Sequence, residues 1–361
     1  MLNKKILFII NGLGVGGAET HLLRLSKALL DKGYQISLLT ISKDLALIDQ
    51  LDKRVKHTNI PLKKSVGLIL DVYKILKIIK KEQPHVIHAH LFQANILSRL
   101  IKIFNTDIRV INTTHGSYLL NTRSYNPYKI YRLTNKWVDF HTAVSQEVLQ
   151  LLINQKAISK SKSRYIPNGL FINEYQEKQN FNHVPFKWLS IGRLHSVKNY
   201  DNLIKVFAEI NKMSLDFILD IAGDGDEKQN LEDIIDEFQL NNIQLLGNIN
   251  NVPEVLSKYD AFVISSHSEG LPMVLLEAMA SSLPIVSTNV GEIGNILLAS
   301  EGGVLIPSKN NKELKKALLQ VLSLKQEELD KLGYNNQKYV ESNFDIEKLV
   351  DTWVSLYFNY E

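Results

Sequence analysis

The sequence predicts an α/β protein with two doubly wound, Rossmann-like domains that face each other across a cleft. Short β-branched strand patterns alternate with helical patterns along the chain, which is typical of a parallel sheet covered on both faces. The alternation breaks once, at 163–175, where "SRYIPNGLFINEY" contains Pro-Asn-Gly and little helical periodicity, and a second series follows. A chain of 361 residues is long enough for two domains.

The first series predicts an N-terminal domain over residues 1–175. Helical periodicity is clear after the first strand, where Leu22, Leu25 and Leu29 share one face and Gly33 ends the helix. A second helix, at 68–83, ends before Pro84. Strands are expected at 5–11, 34–41, 85–90, 107–115 and 140–145.

The second series predicts a C-terminal domain over 176–344, followed by a helix at 345–361 that is expected to pack back toward the N-terminal domain. Strands are expected at 187–194, 215–226, 243–249, 261–266 and 284–288, with helices at 199–211, 252–259 and 271–282 and a helical tail after Ile306. Because ligands of doubly wound sheets lie beyond the carboxyl ends of the strands, the cleft is the predicted site.

The composition excludes several classes of site. The chain has no cysteine, so disulfides and thiolate metal sites are excluded and a reducing cytoplasm is permitted. The short apolar run near the N-terminus meets glycine-rich sequence, which favours a buried strand over a signal peptide. No apolar stretch is long enough to span a bilayer. We therefore expect a cytoplasmic protein.

The two halves differ strongly in charge. Residues 1–175 contain 26 Lys and Arg against 11 Asp and Glu, a net +15, whereas 176–361 contain 16 against 27, a net −11. Residues 52–136 alone hold 16 basic and 4 acidic side chains. Such a division indicates that the first half meets an anionic partner: nucleic acid, a phospholipid surface or a phosphorylated substrate.

The stretch "SEGLPMVLLEAMASS" (268–282) places two glutamates around a predicted helix start. Pro272 fits the first helical turn, so the free amides of Met273 and Val274 are expected to point toward the cleft, where they suit a phosphate. Glu269 and Glu277 can accept hydrogen bonds from sugar and ribose hydroxyls beside that phosphate. The alternative is a helix-dipole role for Glu269 and a solvated Glu277; we favour the site.

The stretch "SIGRLHSVKN" (190–199) follows a predicted strand and carries two cations. Arg193 and Lys198 lie five residues apart in the loop, where together they can neutralise a diphosphate. Surface Arg and Lys pairs are common, so this motif indicates a diphosphate site only in combination with the predicted phosphate-binding turn of the same domain.

Two features of the N-terminal domain are also candidates. The loop "NGLGVGGAE" (11–19) lacks G-x-G-x-x-G spacing and no acidic residue ends the second strand, so a dinucleotide is disfavoured, although a glycine loop beside a diphosphate stays open. His115, in "NTTHGS", can donate to a substrate oxygen or polarise one, and a structural role is equally compatible. His88 and His90 are interpreted as structural residues of a buried strand.

The pair Asp224 and Asp226, in "GDGD", has the spacing of a metal-binding carboxylate pair. It ends a strand of an α/β domain, where a Gly-Asp-Gly turn is a sufficient explanation. We reject a metal site there.

Taken together, these stretches resemble the retaining glycosyltransferases of family 4, of the bacterial surface-polysaccharide type, which have the GT-B fold. The matching pieces cover nearly the whole chain in the family's order. They are Gly16-Gly17-Ala18-Glu19, Thr114-His115-Gly116, Pro167-Asn168-Gly169, Gly192-Arg193 with Lys198, Ala222-Gly223-Asp224-Gly225, and Glu269-x7-Glu277. One departure is "NVGEIGNIL" (289–297), which has a single Gly291 where the family usually shows two glycines.

The resemblance implies a role for each matching residue. Arg193 and Lys198 would bind the donor diphosphate and stabilise its departing charge, and Glu277 would hold the ribose. Glu269 would contact hydroxyls of the sugar, and His115 would contact it near the reacting carbon. Backbone at Gly16 and Gly17 would reach the phosphates, and backbone around Gly247 would receive the base. The implied catalytic residues are Glu269, His115, Arg193 and Lys198; the implied donor-binding residues are Gly16, Gly17, Arg193, Lys198, Gly247, Glu269, Gly270, Leu271, Met273, Val274 and Glu277. No metal or other cofactor is implied.

The expected reaction moves a hexose or N-acetylhexosamine from a nucleotide sugar, with UDP as the favoured carrier, to a lipid-linked or oligosaccharide acceptor in surface polysaccharide synthesis. A polyprenyl-diphosphate saccharide fits the acceptor commonly held by the family's first domain. The alternatives are a GDP-mannose-dependent mannosyltransferase and a non-catalytic nucleotide-sugar-binding protein, which would leave Glu269 and Glu277 unexplained. An epimerase or a phosphorylase of the same fold is disfavoured, and no nucleic-acid partner is expected.

The helix at 68–83 bears on membrane association. Lys74, Lys77 and Lys81 recur at helical spacing beside apolar residues, and 123–137 adds aromatic residues among cations. Taken alone, the helix is better explained as a sheet-covering helix with a solvated lysine face. The charge division between the halves shifts the balance toward peripheral binding at an anionic membrane surface, on the inner face of the cell membrane.

Overall fold

The computed structural model of the protein describes residues 4–63, 66–116, 126–175 and 184–358. The chain forms two compact units. The N-terminal unit comprises Met1–Gly169 together with Ile346–Glu361, and the C-terminal unit comprises Leu170–Asp345. The division after Gly169 lies earlier than the boundary expected after residue 175. Residues 176–183, where the predicted C-terminal domain begins, and residues 123–125, where the predicted stretch of aromatic and basic residues begins, lie outside the described residues.

The N-terminal unit contains a parallel seven-stranded sheet in the order β3-β2-β1-β4-β5-β6-β7. Its strands are β1 (Lys5–Ile10), β2 (Gln35–Thr40), β3 (Lys56–Asn59), β4 (Val86–His90), β5 (Arg109–Thr114), β6 (Phe140–Ala143) and β7 (Ser163–Tyr165). Its helices are α1 (Gly17–Asp31), α2 (Val66–Glu82), α3 (Phe92–Phe104), α4 (Pro127–Thr134), α5 (Gln146–Asn154) and α13 (Ile346–Phe358).

The apolar pattern explains how these elements pack. The predicted face of α1 is confirmed, because Leu22, Leu25 and Leu29 are all buried. α1 also packs against α13, a helix from the far end of the sequence that belongs to this unit. Trp353 and Tyr357 of α13 are fully buried against the sheet. The C-terminal helix is therefore an integral layer of the N-terminal unit.

The C-terminal unit contains a parallel six-stranded sheet in the order β10-β9-β8-β11-β12-β13. Its strands are β8 (Phe186–Ile191), β9 (Phe217–Ala222), β10 (Ile243–Gly247), β11 (Ala261–Ile264), β12 (Ile285–Thr288) and β13 (Gly303–Ile306). Its helices are α6 (Tyr200–Asn211), α7 (Lys228–Glu237), α8 (Val252–Leu256), α9 (Met273–Ala280), α10 (Ile293–Ser300), α11 (Asn311–Leu322) and α12 (Gln326–Asn343).

The strand orders fix where ligands can enter each sheet. In the C-terminal unit the chain runs outward from β8 to β10 and then returns to β11 on the other side of β8. The loops that follow β8 and β11 therefore diverge from neighbouring strands, which opens a crevice at the carboxyl edge. The same switch occurs between β1 and β4 in the N-terminal unit.

The structure corrects the predicted elements in a few places. The helix expected at 271–282 is shorter, and Pro272 is the extended cap residue before Met273 rather than a residue of the first turn. The strands β3, β7 and β13 and the helix α10 were not predicted. β3 reads Lys-His-Thr-Asn and lies at the edge of its sheet, so it lacks the apolar pattern of a buried strand.

Candidate active site

The loops after β8 and β11 bring Lys198 and Glu269 together. The ammonium Nζ of Lys198 lies 2.6 Å from Oε1 of Glu269, and the two side chains are only 19% and 12% exposed. The hydroxyl of Ser266 donates to the same carboxylate oxygen at 2.7 Å. Glu269 is therefore held by two donors, one charged and one neutral, at the switch point of the sheet.

Hydrogen bonds to backbone carbonyls join these two loops to each other. The amide of His267 donates to the carbonyl of Val197 at 2.8 Å. The hydroxyl of Ser265 donates to the carbonyl of Lys198 at 2.7 Å, and the side-chain amide Nδ2 of Asn199 donates to the carbonyl of Ser265 at 3.2 Å. Because these bonds flank Lys198, they fix the backbone from which its side chain reaches Glu269.

A small pocket opens beside this pair. Burial raises the pKa of the Tyr200 phenol, so Tyr200 lines the pocket as a neutral hydroxyl. Gly192 lies close by, since a Cβ there would be 2.8 Å from the Tyr200 hydroxyl and 3.3 Å from Cε of Lys198. The pocket is lined by Ser190, Ile191, Lys198, Tyr200, Ile264, Ser265, Ser266, Glu269 and Val274.

The loop after β12 supports the backbone of Glu269 and Gly270. The amide of Glu292 donates to the carbonyl of Gly270 at 2.9 Å. Gly291 has φ +55°, and a Cβ there would contact the carbonyl of Glu269 and lie 2.5 Å from that of Gly270. The single glycine of this loop is thus the position where both the backbone conformation and the close approach require glycine.

The start of α9 offers free donors near this pair. Met273 and Val274 are its first two residues, and their amides donate to no acceptor within the described chain. Glu277 lies in the second turn and is 5% exposed, so the alternative of a solvated Glu277 is wrong. Glu277 is absent from the pocket lining, and its predicted contact with a ribose stays a prediction.

The structure does not bring every predicted residue of this unit to the pair. Arg193 is exposed in the same loop as Lys198, and no hydrogen bond or ion pair joins its side chain to another described residue. Gly247 ends β10 with φ +69°, a conformation that favours glycine, and its carbonyl accepts from the amide of Gly223 at 2.8 Å. The carboxylate of Asp224 accepts from the neighbouring amide of Gly225 at 2.9 Å. Across the described ranges, no group of three or more His, Asp or Glu side chains is arranged to hold a metal ion.

In the N-terminal unit, Gly16 and Gly17 lie at the start of α1. Gly16 is the extended cap residue and Gly17 is the first helical residue. The carboxylate of Glu19 lies beside them, since a Cβ on Gly16 would be 2.5 Å from its Oε2. The first turn of α1 therefore already carries an anionic group. The contact of these glycines with phosphate stays a prediction.

His115 follows β5 at the carboxyl edge of the N-terminal sheet. Its Nε2 lies 2.9 Å from Nδ1 of His90, and burial lowers the pKa of His115 to about 3. Its imidazole is therefore neutral near pH 7, when it can donate one hydrogen bond and accept another. His88 and His90 are fully buried in β4.

Sequence reasoning missed several residues of these sites. Ser266 could have been identified, because its hydroxyl lies three residues before the Glu269 carboxylate in the same strand-to-helix turn and is a potential donor to it. Tyr200 and Ser190 gave no signal, since one begins a helix and the other lies inside a strand. The pairing of His90 with His115 also had no sequence signal, because adjacent strands bring them together.

Two family models together match most of the chain. The model of glycosyltransferase family 4 matches residues 15–173, and that of glycosyl transferases group 1 matches residues 171–339. An uncharacterized glycosyltransferase of Methanocaldococcus jannaschii is 30% identical over 346 residues, which cover 93% of this chain and 92% of that protein. The UDP-Gal:alpha-D-GlcNAc-diphosphoundecaprenol alpha-1,3-galactosyltransferase of Escherichia coli is 28% identical over 341 residues, with 86% of each chain covered.

Solved structures show the same fold. A glycosyltransferase from Rickettsia africae superposes with a TM-score of 0.84 at 20% identity, over 98% of each chain. HepE of Anabaena, solved in complex with UDP-glucose, superposes with a TM-score of 0.80 at 19% identity, over 98% of this chain and 99% of that one. The chain therefore belongs to the glycosyltransferases of family 4, with a group 1 C-terminal domain, and it has their GT-B fold.

Proposed function

We propose that this glycosyltransferase moves a hexose or N-acetylhexosamine from a UDP-sugar, with retention of configuration, to a lipid-linked or oligosaccharide acceptor of surface polysaccharide. The observation that carries the proposal is the Lys198, Glu269 and Ser266 cluster at the switch point of the C-terminal sheet. The names of two similar proteins support the donor and acceptor: one acts with UDP-Gal on a diphosphoundecaprenol-linked sugar, and the other was solved with UDP-glucose.

Lys198 is suited to stabilise the leaving group. As the bond between the sugar carbon and the diphosphate oxygen breaks, negative charge grows on the diphosphate and the sugar gains oxocarbenium character. The ammonium has three hydrogens, so one can stay on Glu269 while another donates to the diphosphate. We assign Arg193 and the free amides of Met273 and Val274 as further donors to the same anion.

Glu269 is suited to read the sugar. Lys198 and Ser266 both donate to its Oε1, so a sugar hydroxyl can donate to the second oxygen. Glu277 is assigned to the ribose and the backbone around Gly247 to the base. In the N-terminal unit, Gly16 and Gly17 are assigned to the phosphates.

The acceptor is proposed to attack the sugar carbon on the face from which the diphosphate leaves. This attack retains the configuration at that carbon and gives the acceptor proton a destination. The acceptor oxygen forms its bond to the sugar carbon as the diphosphate oxygen departs, and the acceptor proton passes to that departing oxygen. We assign His115 to a sugar oxygen near the reacting carbon, where a neutral imidazole can donate. The reaction is proposed to need no metal ion, so transfer should persist in excess EDTA.

Thermal unfolding with nucleotides tests the donor. We expect UDP to raise Tm more than GDP or ADP. A ligand at 100 times its Kd stabilises the folded state by about 2.7 kcal/mol, so at equal concentrations the nucleotide that binds most tightly gives the largest shift in Tm. UDP-glucose, UDP-galactose and UDP-N-acetylglucosamine are then compared with UDP and GDP-mannose. In the Glu269→Gln variant, stabilisation by UDP should persist, whereas the increment added by the sugar and the transfer to a lipid-linked acceptor should fall.

Glu254→Gln is the matched control for this experiment. It also removes one carboxylate from a Lys–Glu pair, in this case a surface pair with Lys258 at 2.8 Å, and it should behave as the wild type. A larger response to GDP-mannose would overturn the UDP assignment. Unchanged transfer in Glu269→Gln would overturn the role of the carboxylate.

For the acceptor side, we propose that α2 lies on an anionic membrane surface. Leu68, Ile69, Leu70 and Tyr73 are exposed, with Ile69 70% exposed, while Ile75 on the opposite side is buried. Because α2 runs from β3 back to β4, its first turns lie at the carboxyl edge of the sheet. The lysines follow farther along the same exposed side, and Lys77 Nζ lies 4.6 Å from the ring centre of Tyr73.

This arrangement of exposed apolar residues beside lysines fits a bilayer with anionic headgroups, because apolar burial and charge attraction add. Within the described ranges, no helix has the length and apolar character needed to cross a bilayer. Peripheral binding would instead bring the N-terminal unit to a lipid-linked acceptor at the bilayer surface.

Vesicle co-sedimentation tests this surface. We expect binding to phosphatidylglycerol vesicles, weakened by salt and lost by at least about 10-fold in Ile69→Ser/Tyr73→Ser, because each buried apolar side chain contributes about 1.5–3 kcal/mol. Leu298→Ser is the matched control, since Leu298 is also 70% exposed but lies in the C-terminal unit. Equal binding to neutral vesicles, or equal binding by both variants, would contradict the proposal.

A further inference from the structure

Four imidazoles pack together inside the N-terminal unit. His88 and His90 come from β4, His21 from α1, and His115 from the loop after β5. The ring centroids of His88 and His90 are 4.1 Å apart, and those of His21 and His115 are 6.0 Å apart. Trp353 of α13 covers the group, with its centroid 4.8 Å from that of His88. The proposed function uses only His115, so the other three require an explanation.

The hydrogen bonds of His88 are fully committed. Nδ1 of His88 lies 2.7 Å from the hydroxyl of Tyr357, and its Nε2 lies 2.6 Å from the hydroxyl of Thr113. The Thr113 hydroxyl is in turn 2.6 Å from that of Thr142. Both nitrogens of His88 therefore have a partner in either tautomer. This hydrogen-bonded chain ties α13 to the sheet and does not include His115.

His90 is the residue that contacts His115 by hydrogen bonding. Nδ1 of His90 lies 2.9 Å from Nε2 of His115, and both rings are neutral because burial lowers their pKa values. In a pair of neutral imidazoles one nitrogen donates and the other accepts, so the bond couples the two tautomers. Each ring then has one nitrogen left over, Nε2 of His90 and Nδ1 of His115. Both are buried and neither has a partner within the described chain.

The hydrogen bond can form in two ways, and each leaves one buried donor and one buried acceptor without a partner among the described residues. With the proton on Nδ1 of His90, the unmet donor is Nδ1 of His115. With the proton on Nε2 of His115, the unmet donor is Nε2 of His90 instead. An unmet buried donor costs about 1–3 kcal/mol. Only the first arrangement places that donor on the ring to which the proposed function assigns a sugar oxygen, and that oxygen would accept from it.

We infer that His90 is a positioning residue, which orients the ring of His115 and holds it as the Nδ1–H tautomer, ready to donate to an oxygen of the transferred sugar. The inference rests on the sugar contact proposed for His115 above. His90 itself reaches no substrate in this account. It acts through one hydrogen bond, in the way that a buried partner fixes the tautomer of a metal-bound or catalytic histidine.

Two substitutions of His90 separate positioning from packing. In His90→Asn the short amide can still donate to Nε2 of His115, whereas His90→Leu fills the space without a hydrogen bond. We expect His90→Leu to lower kcat about 10–100-fold with KM for the donor changed less than about 3-fold, as for other tautomer-fixing partners. His90→Asn should retain kcat within about 5-fold. Equal losses in both variants would overturn the inference.

Tyr357→Phe is the matched control for damage to the buried cluster. It removes the hydroxyl bound to His88, so it should reduce stability while leaving kcat near that of the wild type. A loss of kcat equal to that of His90→Leu would show that general disruption explains both, and the positioning role would fail.

A double-mutant cycle and a spectroscopic measurement complete the test. If His90 acts through His115, His90→Leu should cost less than about 2-fold in the His115→Ala background, whereas independent effects would multiply. Long-range nitrogen–proton NMR correlations should show protonated Nδ1 in His115 of the wild type and of His90→Asn. A protonated Nε2 would overturn the assignment. Full transfer activity in His115→Ala would instead refute the proposed sugar contact, a result distinct from the NMR outcome.

Discussion

Replacing Lys198 by methionine is expected to lower kcat for sugar transfer by about 10²–10³-fold, the usual loss when one preorganised donor to a developing anion is removed. Methionine keeps most of the side-chain volume, so Tyr200 and Gly192 should keep their packing. The loss should appear mainly in kcat, because the charge on the diphosphate grows as its bond to the sugar breaks. Steady-state kinetics with a lipid-linked acceptor measure it.

The ion pair makes a stability control available. Methionine at 198 leaves the carboxylate of Glu269 with the hydroxyl of Ser266 but without its cation, which should reduce stability by about 1–3 kcal/mol at this partly buried site. Adding Glu269→Gln should restore much of that stability and none of the activity. Recovery of transfer in the double variant, or a fall below 5-fold in the single one, would refute the role of Lys198.

As the pH is lowered, the N-terminal unit is expected to lose stability well above the pH at which carboxylates become protonated. Burial lowers the pKa of four buried histidines of this unit, and of the half-buried His115, below the ordinary value of 6.5, to about 3 for His115. The histidines concerned are His21, His88, His90, His115 and His141. Below pH 6.5 the unfolded chain therefore binds protons that the folded unit does not. Stability should be full above that pH and should fall by about 1.4 kcal/mol per pH unit for each histidine as the pH decreases.

Denaturant unfolding at pH 7, 6 and 5 measures this slope, with fluorescence followed in a Trp137→Phe/Trp188→Phe background so that the signal comes from Trp353 beside the cluster. His88→Asn should be less stable at pH 7, but its stability should fall less steeply with pH, by about 1.4 kcal/mol per pH unit, because one titrating histidine has been removed. His195→Asn is the control, since His195 is an exposed residue of the C-terminal unit and should leave the slope unchanged. A stability that does not vary between pH 7 and pH 5 would contradict the prediction.

Much of the fold could be predicted because burial imposes a readable pattern. The apolar spacing of Leu22, Leu25 and Leu29 identified the inner face of α1, and β-branched runs identified the central strands. Edge strands carry less of that pattern. β3 contains no apolar residue, so its place was decided by pairing with β2, which local sequence does not reveal.

The site was predictable to the level of loops but not of contacts. Glu269 and Lys198 were each placed after a strand, and parallel strands bring such loops to one edge. Their ion pair joins residues 71 positions apart and depends on β8 and β11 being neighbours, which follows from strand order. Nor could sequence show that Glu277 is buried or that His90 meets His115, because both depend on how side chains pack.

The return of α13 to the N-terminal unit has a consequence for synthesis on the ribosome. The C-terminal unit is one uninterrupted segment, 170–345, whereas the N-terminal unit lacks the helix that carries Trp353 and Tyr357 until that segment has been translated. The usual order, in which the first domain of a nascent chain folds first, should therefore be reversed or delayed here. Until α13 emerges, the His88 side of the sheet stays uncovered, and it is the surface that a holding chaperone would have to shield.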